Sequence, residues 1–319
     1  MEKNNNIKSY KSRLKIKKAK IVRRANNLRT IERKLVDEKP IDIAPEIKNN
    51  FSGDKNNFSG DKKLFSILTS AYNAEKYIED YADSILIQNY RPLELVFIND
   101  FSADSTLDKI ESYRKTFEQK DIRFRVMSNN SNYGCGGSYK IAAYQAEGFY
   151  LGVVDSDDCL TLDAVENIVK LYNAFPDFSY IYTQYDVCDS NMNFIKTGIS
   201  SFPGRGKSLL QAGTTGSHAF SHWRTFSRRM KGEITDVFEY NVNSAVDKYM
   251  GYLLEERGKG LFAESVFYKY RSGLKNSISS KKSSDGDWRE MINDFKNKRV
   301  KHRISPFEIK KIRSPRDYY

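Results

Sequence analysis

Asp155, Asp157 and Asp158 follow the apolar run from Tyr150 to Val154, so three carboxylates fall within four positions at the end of a segment that reads as a buried parallel strand. Open α/β sheets bind ligands beyond the carboxyl ends of their strands, and negative charge concentrated there calls for a cation. Carboxylate oxygens are hard ligands suited to Mg2+ or Mn2+, and Mg2+ is commonly held by one or two carboxylates together with substrate phosphates. A divalent ion carrying a diphosphate therefore fits this turn. The competing explanation is a capped turn, because Asp and Ser favour helix N-caps and the segment from Asp163 to Tyr172 has helical periodicity.

The elements that must position these acids alternate between short apolar runs and helix-period segments. Strands are predicted over Leu64–Thr69, Leu93–Ile98, Phe124–Met127 and Phe149–Val154, with helices over Ala74–Ile87, Ala103–Phe117 and Gly137–Ala146 between them. Such alternation predicts a mostly parallel α/β sheet. Each strand ends in polar residues: Thr69 to Asn73, Asn99 to Ser102, Ser128 to Asn130, and then the aspartates. All four ends are therefore placed along one sheet edge.

Four ordered blocks carry a resemblance: Ser70 to Glu75 (Ser-Ala-Tyr-Asn-Ala-Glu), Asn99 to Asp104 (Asn-Asp-Phe-Ser-Ala-Asp), Asn132-Tyr-Gly134, and Asp155-Ser-Asp-Asp158. In order and spacing they resemble family-2 glycosyltransferases of the GT-A fold, strongly over Leu64–Tyr172. From Ser179 to Ser280 the likeness is to the acceptor half of chondroitin- and hyaluronan-polymerase catalytic domains, through His222-Trp-Arg224 and Ser244-Ala-Val-Asp247. The resemblance implies a UDP-sugar donor, Mn2+ or Mg2+, a glycan or lipid-linked acceptor, and a single displacement that inverts the anomeric carbon. It points to synthesis of cell-envelope or capsular polysaccharide.

Site roles follow from this likeness, each beside a plainer alternative. Ser70 and Tyr72 are placed at the uridine, where Tyr72 stacks on the base or simply packs locally. Glu75 orients the same turn or complements a helix dipole. Asp100 is the candidate acceptor for the uracil imide N–H; the family commonly has two acids here, and Asn99 replaces the first. Where the family usually has Arg-Asn after its glycine loop, this chain has Tyr139-Lys140, which leaves Lys140 as the cation near the phosphates or as a solvated helix lysine. Asp155 and Ser156 fall on the ribose side, and Asp157 and Asp158 are assigned to the metal. Asp247, opening a predicted helix, is the candidate base for the acceptor hydroxyl, against the alternative of a helix-start Asp favoured by the dipole.

His222 and Arg224 are assigned to acceptor or phosphate contact, in a segment with His218 whose Gly216 and threonines argue for a loop. Ser272 stands where the family often has a metal- or diphosphate-contacting His, so Arg271 or Lys275 is the candidate counter-charge for the leaving group. The departures at Tyr139-Lys140 and Ser272 favour a second function class, a nucleotide-sugar-binding or scaffold protein without turnover.

The flanks differ from the centre. Residues 1–63 hold 18 Lys and Arg against 8 Asp and Glu, and so carry ten of the twelve net positive charges of the 319-residue chain. Ile7, Leu14, Ile21, Leu28 and Leu35 recur every seven residues, interrupted by Lys17 and Arg24. Residues 1–48 therefore read as a basic amphipathic helical extension that lies on an anionic membrane surface, pairs with another helix through residues 7–35, or stays solvated. Nucleic acid is disfavoured, since the stretch has few aromatics and no reader motif. Residues 49–63 contain Asn-Asn-Phe-Ser-Gly-Asp-Lys twice in tandem and read as a linker.

The catalytic domain is bounded at 64–280, as a donor half over 64–175 and an acceptor half over 176–280, with a basic tail over 281–319. One such module predicts one sugar or one linkage type. No apolar run reaches the ~18–20 residues that span a bilayer, and no signal-peptide core opens the chain. With Cys135, Cys159 and Cys188 in no metal or redox pattern, the expected place is the cytoplasm, peripheral at the inner membrane face.

Overall fold

The computed structural model describes residues 62–204, 208, 209, 220–230, 232–238, 246–274, 293, 297 and 309–312. The basic extension, nearly all of the linker, His218 and Lys275 lie outside the described residues. Two compact units divide the chain, Met1–Asn57 and Phe58–Tyr319, and every element below belongs to the second.

Strand β1 (Phe65–Ala71) is buried on both faces up to the half-buried Ser70, with the hydroxyls of its buried Ser66 and Thr69 bonded to Glu94 and Tyr81. Parallel to it run β2 (Leu93–Asn99) on one side and β4 (Tyr150–Val153) on the other, and β3 (Ile122–Ser128) adds beyond β2. Helix α1 (Ile78–Leu86) turns Ile78, Tyr81, Ala82 and Ile85 inward and places Glu79 and Asp80 in its first turn, where the dipole favours them. The helix expected over Ala103–Phe117 is instead two, α2 (Thr106–Ser112) and α3 (Arg114–Gln119). Its ladder tightens at the join, where Tyr113 N–H bonds to the Ile110 carbonyl three residues back. Helix α4 (Gly134–Gln145) starts three residues before the glycines suggested, with Gly134 at φ 75°.

After β4 come the acidic turn, the two-residue strand β5 (Cys159–Leu160), helix α5 (Ala164–Ala174) and the long strand β6 (Phe178–Cys188). The remaining elements are the hairpin strand β7 (Phe194–Thr197), β8 (Arg224–Ser227), helix α6 (Val246–Arg257), β9 (Lys259–Arg271) and β10 (Ile309–Ile312). The sheet runs β10-β9-β6-β8-β4-β1-β2-β3, with β5 on β9 and β7 on β6. Along that path only β8 runs against its neighbours. Ile309–Ile312, within the predicted basic tail, pairs with β9, so this part of the tail is sheet.

Two cores lie on opposite faces of the sheet. Phe65, Ile67 and Tyr150 pack with α1 and α5, while Leu68, Val96 and Leu151 pack with α4 and α6. Gly152 in β4 lets Trp223 lie against the strand: a Cβ there would come within 2.7 Å of the indole. Trp223, fully buried, adjoins β8 and so fixes the positions of His222 and Arg224 beside the end of β4.

Candidate active site

The acidic turn sits at the carboxyl end of β4, and β5 separates it from α5. Its acids therefore do not cap that helix; the residue preceding α5 is Asp163, which makes no capping bond and instead accepts one from Asn89 at 2.6 Å. The capped-turn explanation thus fails on topology.

The turn is wired to its surroundings by groups from three elements. Asp155 accepts a hydrogen bond from the Tyr139 hydroxyl of α4 and pairs with Arg224 of β8 at 2.9 Å. Tyr268 of β9 joins two members of the turn, since its hydroxyl accepts from Asp155 N–H at 3.1 Å and donates to Asp158 at 2.8 Å. The second oxygen of Asp158 accepts from Arg271 N–H at 2.7 Å, and the residue is 1% exposed. Asp157 is half-buried, and its carboxylate bonds to no other residue's side chain among the described residues.

These surroundings separate the three acids electrically. Burial opposes the charge of Asp155, yet Arg224, the neighbouring His222 and the Tyr139 hydroxyl hold its carboxyl below the usual range. Burial and the Asp155 charge push Asp157 up to about 6. Asp158 is also raised, by burial and then by Asp157 and Asp155. Two acids that resist ionisation beside a third that is ionised make a site where a cation relieves repulsion.

His222 completes the group. Its ring lies between Tyr268 and Tyr270, 4.6 and 5.2 Å away and nearly parallel to both, with Tyr185 edge-on at 5.2 Å. Burial and Arg224 lower its pKa to about 3, so the imidazole is neutral. Its Nδ1 is buried without a hydrogen-bond partner, 3.9 Å from an Asp155 oxygen. One ligand atom each from Asp155, Asp158 and His222 lie within 4.8 Å of one another. Two hard oxygens and a neutral nitrogen form a donor set that fits a divalent cation such as Mn2+ or Mg2+.

Arg271 is placed differently from its sequence assignment to the diphosphate. It is 3% exposed, and its guanidinium donates inward to the Asp157 carbonyl at 2.7 Å, to the Ser190 carbonyl at 2.5 Å and to Asp80 at 2.7 Å. One nitrogen holds the acidic turn through the Asp157 carbonyl, and the other two tie the side chain to Ser190, just after β6, and to Asp80 of α1. Ser272, in the place of the family's His, donates to the Cys188 carbonyl at 2.8 Å. The imidazole beside the acids comes from position 222 instead.

Of the residues assigned from the sequence to the nucleotide, Ser70 is half-buried at the end of β1, Ser156 is buried and Tyr72 is exposed. Asp100 is buried, and one of its oxygens accepts from Asn129 and from Tyr133 N–H at 2.7 and 2.8 Å. Glu75 accepts from Ser105 N–H at 3.0 Å, just before α2, while Asp104 accepts from Glu75 N–H at 3.1 Å. That reciprocal pair joins the turns after β1 and β2 and gives Glu75 a capping contact. Lys140 is half-buried on α4. Asp247 opens α6, half-buried, and its charge helps keep Arg224 protonated. The sequence left Tyr139 and Tyr268 without roles. The available signal was the alternation of Tyr268 and Tyr270, which puts both rings on one face of β9.

A family model described as "Glycosyl transferase family 2" matches residues 66–234, more than half of the chain. The chain belongs to that family. Among its relatives, chondroitin synthase of Pasteurella multocida (strain Pm70) is 32% identical over 225 residues, covering 69% of this chain and 22% of the relative. Hyaluronan synthase of Pasteurella multocida is 33% identical over 205 residues, covering 64% of this chain and 20% of the relative. The chain thus spans about a fifth of the length of those two. The S. aureus TarS 1–349 structure in complex with UDP-GlcNAc is 21% identical, covers 73% of this chain and 66% of that one, and superposes with a TM-score of 0.59. The fold is GT-A, as the four sequence blocks implied.

Proposed function

We propose that this family-2 glycosyltransferase is a metal-dependent, inverting enzyme that moves a sugar from a UDP-sugar to a glycan or lipid-linked acceptor in envelope or capsular polysaccharide synthesis. The observation that carries this is the acidic turn: three carboxylates with different ionisation, braced by β9 and beside the unbonded Nδ1 of His222, at the edge where α/β sheets take ligands. The relatives' names, chondroitin synthase and hyaluronan synthase, and the UDP-GlcNAc bound to TarS support the donor and product class.

We assign the cation to the Asp155, Asp158 and His222 Nδ1 group, whose ligand atoms lie within 4.8 Å of one another, with the neighbouring Asp157 carboxylate, which bonds to no other side chain among the described residues, as a further ligand. When bound, the ion neutralises charge developing on the leaving diphosphate, a Lewis-acid contribution of several kcal/mol. Asp155 and Ser156 face the ribose. Asp247 takes the proton from the acceptor hydroxyl as that oxygen attacks the anomeric carbon, so an α-linked donor yields a β-glycoside. Arg224 holds Asp155 in place and adds positive charge to the same region.

The test is release of UDP from a panel of UDP-sugars with Mn2+ or Mg2+, with and without candidate acceptors. Metal-dependent UDP release is the expected outcome. UDP binding without turnover of any donor would transfer the assignment to a non-catalytic nucleotide-sugar-binding protein.

A further inference from the structure

Tyr72 and Phe101, two large rings at the ends of adjacent strands, are 55% and 57% exposed. Strands β1 and β2 pair in register through Ala71 and Asn99, so Tyr72 lies one residue, and Phe101 two residues, past the last paired positions. Neither ring packs on another aromatic among the described residues.

Phe101 also has φ 62°, in the left-handed region that a side chain with a Cβ disfavours and glycine adopts freely. Its neighbours impose that conformation. Asp100 N–H bonds to the Ala71 carbonyl at 2.8 Å, Ser102 N–H to the Asn99 side chain at 3.3 Å, and Ala103 N–H to the Asn73 side chain at 2.9 Å. The turn thus demands a residue that tolerates positive φ, and the chain supplies Phe. Its ring contributes little to the core, since more than half of it faces solvent. Neither the backbone nor the packing accounts for an aromatic side chain there, and the exposed ring is free to meet a ligand.

Strand order places that ligand. Along the sheet edge β4, β1 and β2 are consecutive, so the acidic turn, Tyr72 and Phe101 stand in a row. Neighbouring strands lie about 4.8 Å apart, and two intervals give roughly 10 Å, the reach from the diphosphate of a nucleotide to its base. A flat base with two apolar faces suits a pair of exposed, unstacked rings.

We propose that Phe101 and Tyr72 form an aromatic clamp on the nucleobase of the donor, with Phe101 supplying a second stacking face; this rests on the UDP-sugar assignment above. The clamp makes position 101 a determinant of nucleotide affinity that is separate from the acids holding the diphosphate.

The experiment measures binding of UDP and of inorganic pyrophosphate, each with Mn2+, to the full chain and to the Phe101→Gly and Phe101→Tyr variants, with thermal midpoints alongside. Phe101→Gly is expected to weaken UDP about tenfold while pyrophosphate affinity stays within about twofold, given the usual worth of a base–aromatic stack. The same variant is expected to melt higher, because glycine relieves the left-handed backbone. Phe101→Tyr, which keeps a stacking face, is expected to retain UDP affinity. Undiminished UDP binding by a folded Phe101→Gly chain overturns the clamp and leaves the donor assignment standing. Failure of the wild-type chain to bind either compound overturns both.

Discussion

At the residue scale, three acids in one turn differ because their neighbours differ. Asp157 is pushed up to about 6 by burial and by Asp155, from an ordinary value of 3.8. Between about pH 4 and 6 the folded chain therefore keeps a proton that an unfolded Asp has released, and stability without metal falls as pH rises through that window. Asp158, also raised, acts with the same sign. A bound divalent ion opposes the trend, because it favours the ionised carboxylates. Thermal midpoints at several pH values, with chelator or with Mn2+, are expected to diverge above about pH 6, and Asp157→Asn is expected to flatten the chelator curve. The second prediction at this scale concerns Asp247. Asp247→Asn is expected to lower turnover by ~10²–10⁴-fold, the usual worth of a positioned base, while leaving UDP and Mn2+ affinity unchanged. A turnover rate near that of the wild type would remove Asp247 from the proton-transfer role.

At the element scale, the site depends on how β4, β8 and β9 are held. Gly152→Ala brings a Cβ within 2.7 Å of the Trp223 indole, a ring with no exposed surface into which to move. The strain must pass to β8, which carries Arg224. We expect a loss of about 1–3 kcal/mol, the usual cost of overpacking, read as a lowered denaturation midpoint together with weaker donor affinity. Arg271→Lys replaces a fork that holds two carbonyls and Asp80 by a single point charge. Removal of such supporting contacts commonly costs 10–100-fold in metal affinity, and calorimetric titration with Mn2+ is expected to show a loss on the order of tenfold.

The first four strands and the helices between them were legible because each carries its own periodicity, and the acids were legible because they end a strand. What escaped was set by distant partners. The antiparallel course of β8 depends on the neighbours β4 and β6, and nothing in Arg224-Thr-Phe-Ser227 encodes it. Tyr139 looked like a departure from a motif, whereas its hydroxyl reaches Asp155 across 16 positions of chain. Arg271 looked like a counter-charge because sequence gives charge without direction, and its direction is inward. The strand Ile309–Ile312 was hidden in a basic segment because only two of its four residues, Ile309 and Ile312, are buried.

At the scale of the whole molecule, charge is separated from chemistry. Ten of the twelve net positive charges fall in residues 1–63, so the rest of the chain is close to electrically balanced. No described helix is long and apolar enough to cross a membrane. Attraction to an anionic surface must then come from the basic stretch, where each Lys or Arg near a lipid surface contributes about 1 kcal/mol. An interaction of that origin is screened within a Debye length of ~8 Å at physiological salt and weakens further as salt is added. The full chain is therefore expected to co-sediment with vesicles that contain anionic lipid, to leave them at high salt, and to ignore vesicles of neutral lipid. The Lys17→Glu and Arg24→Glu pair reverses charge at the two positions that interrupt the heptad, and is expected to reduce that binding while donor turnover in solution stays unchanged. Self-association that persists at high salt and without lipid, and that Lys17→Leu with Arg24→Leu strengthens, would instead assign the stripe to a helix partner, since those substitutions complete its apolar seam.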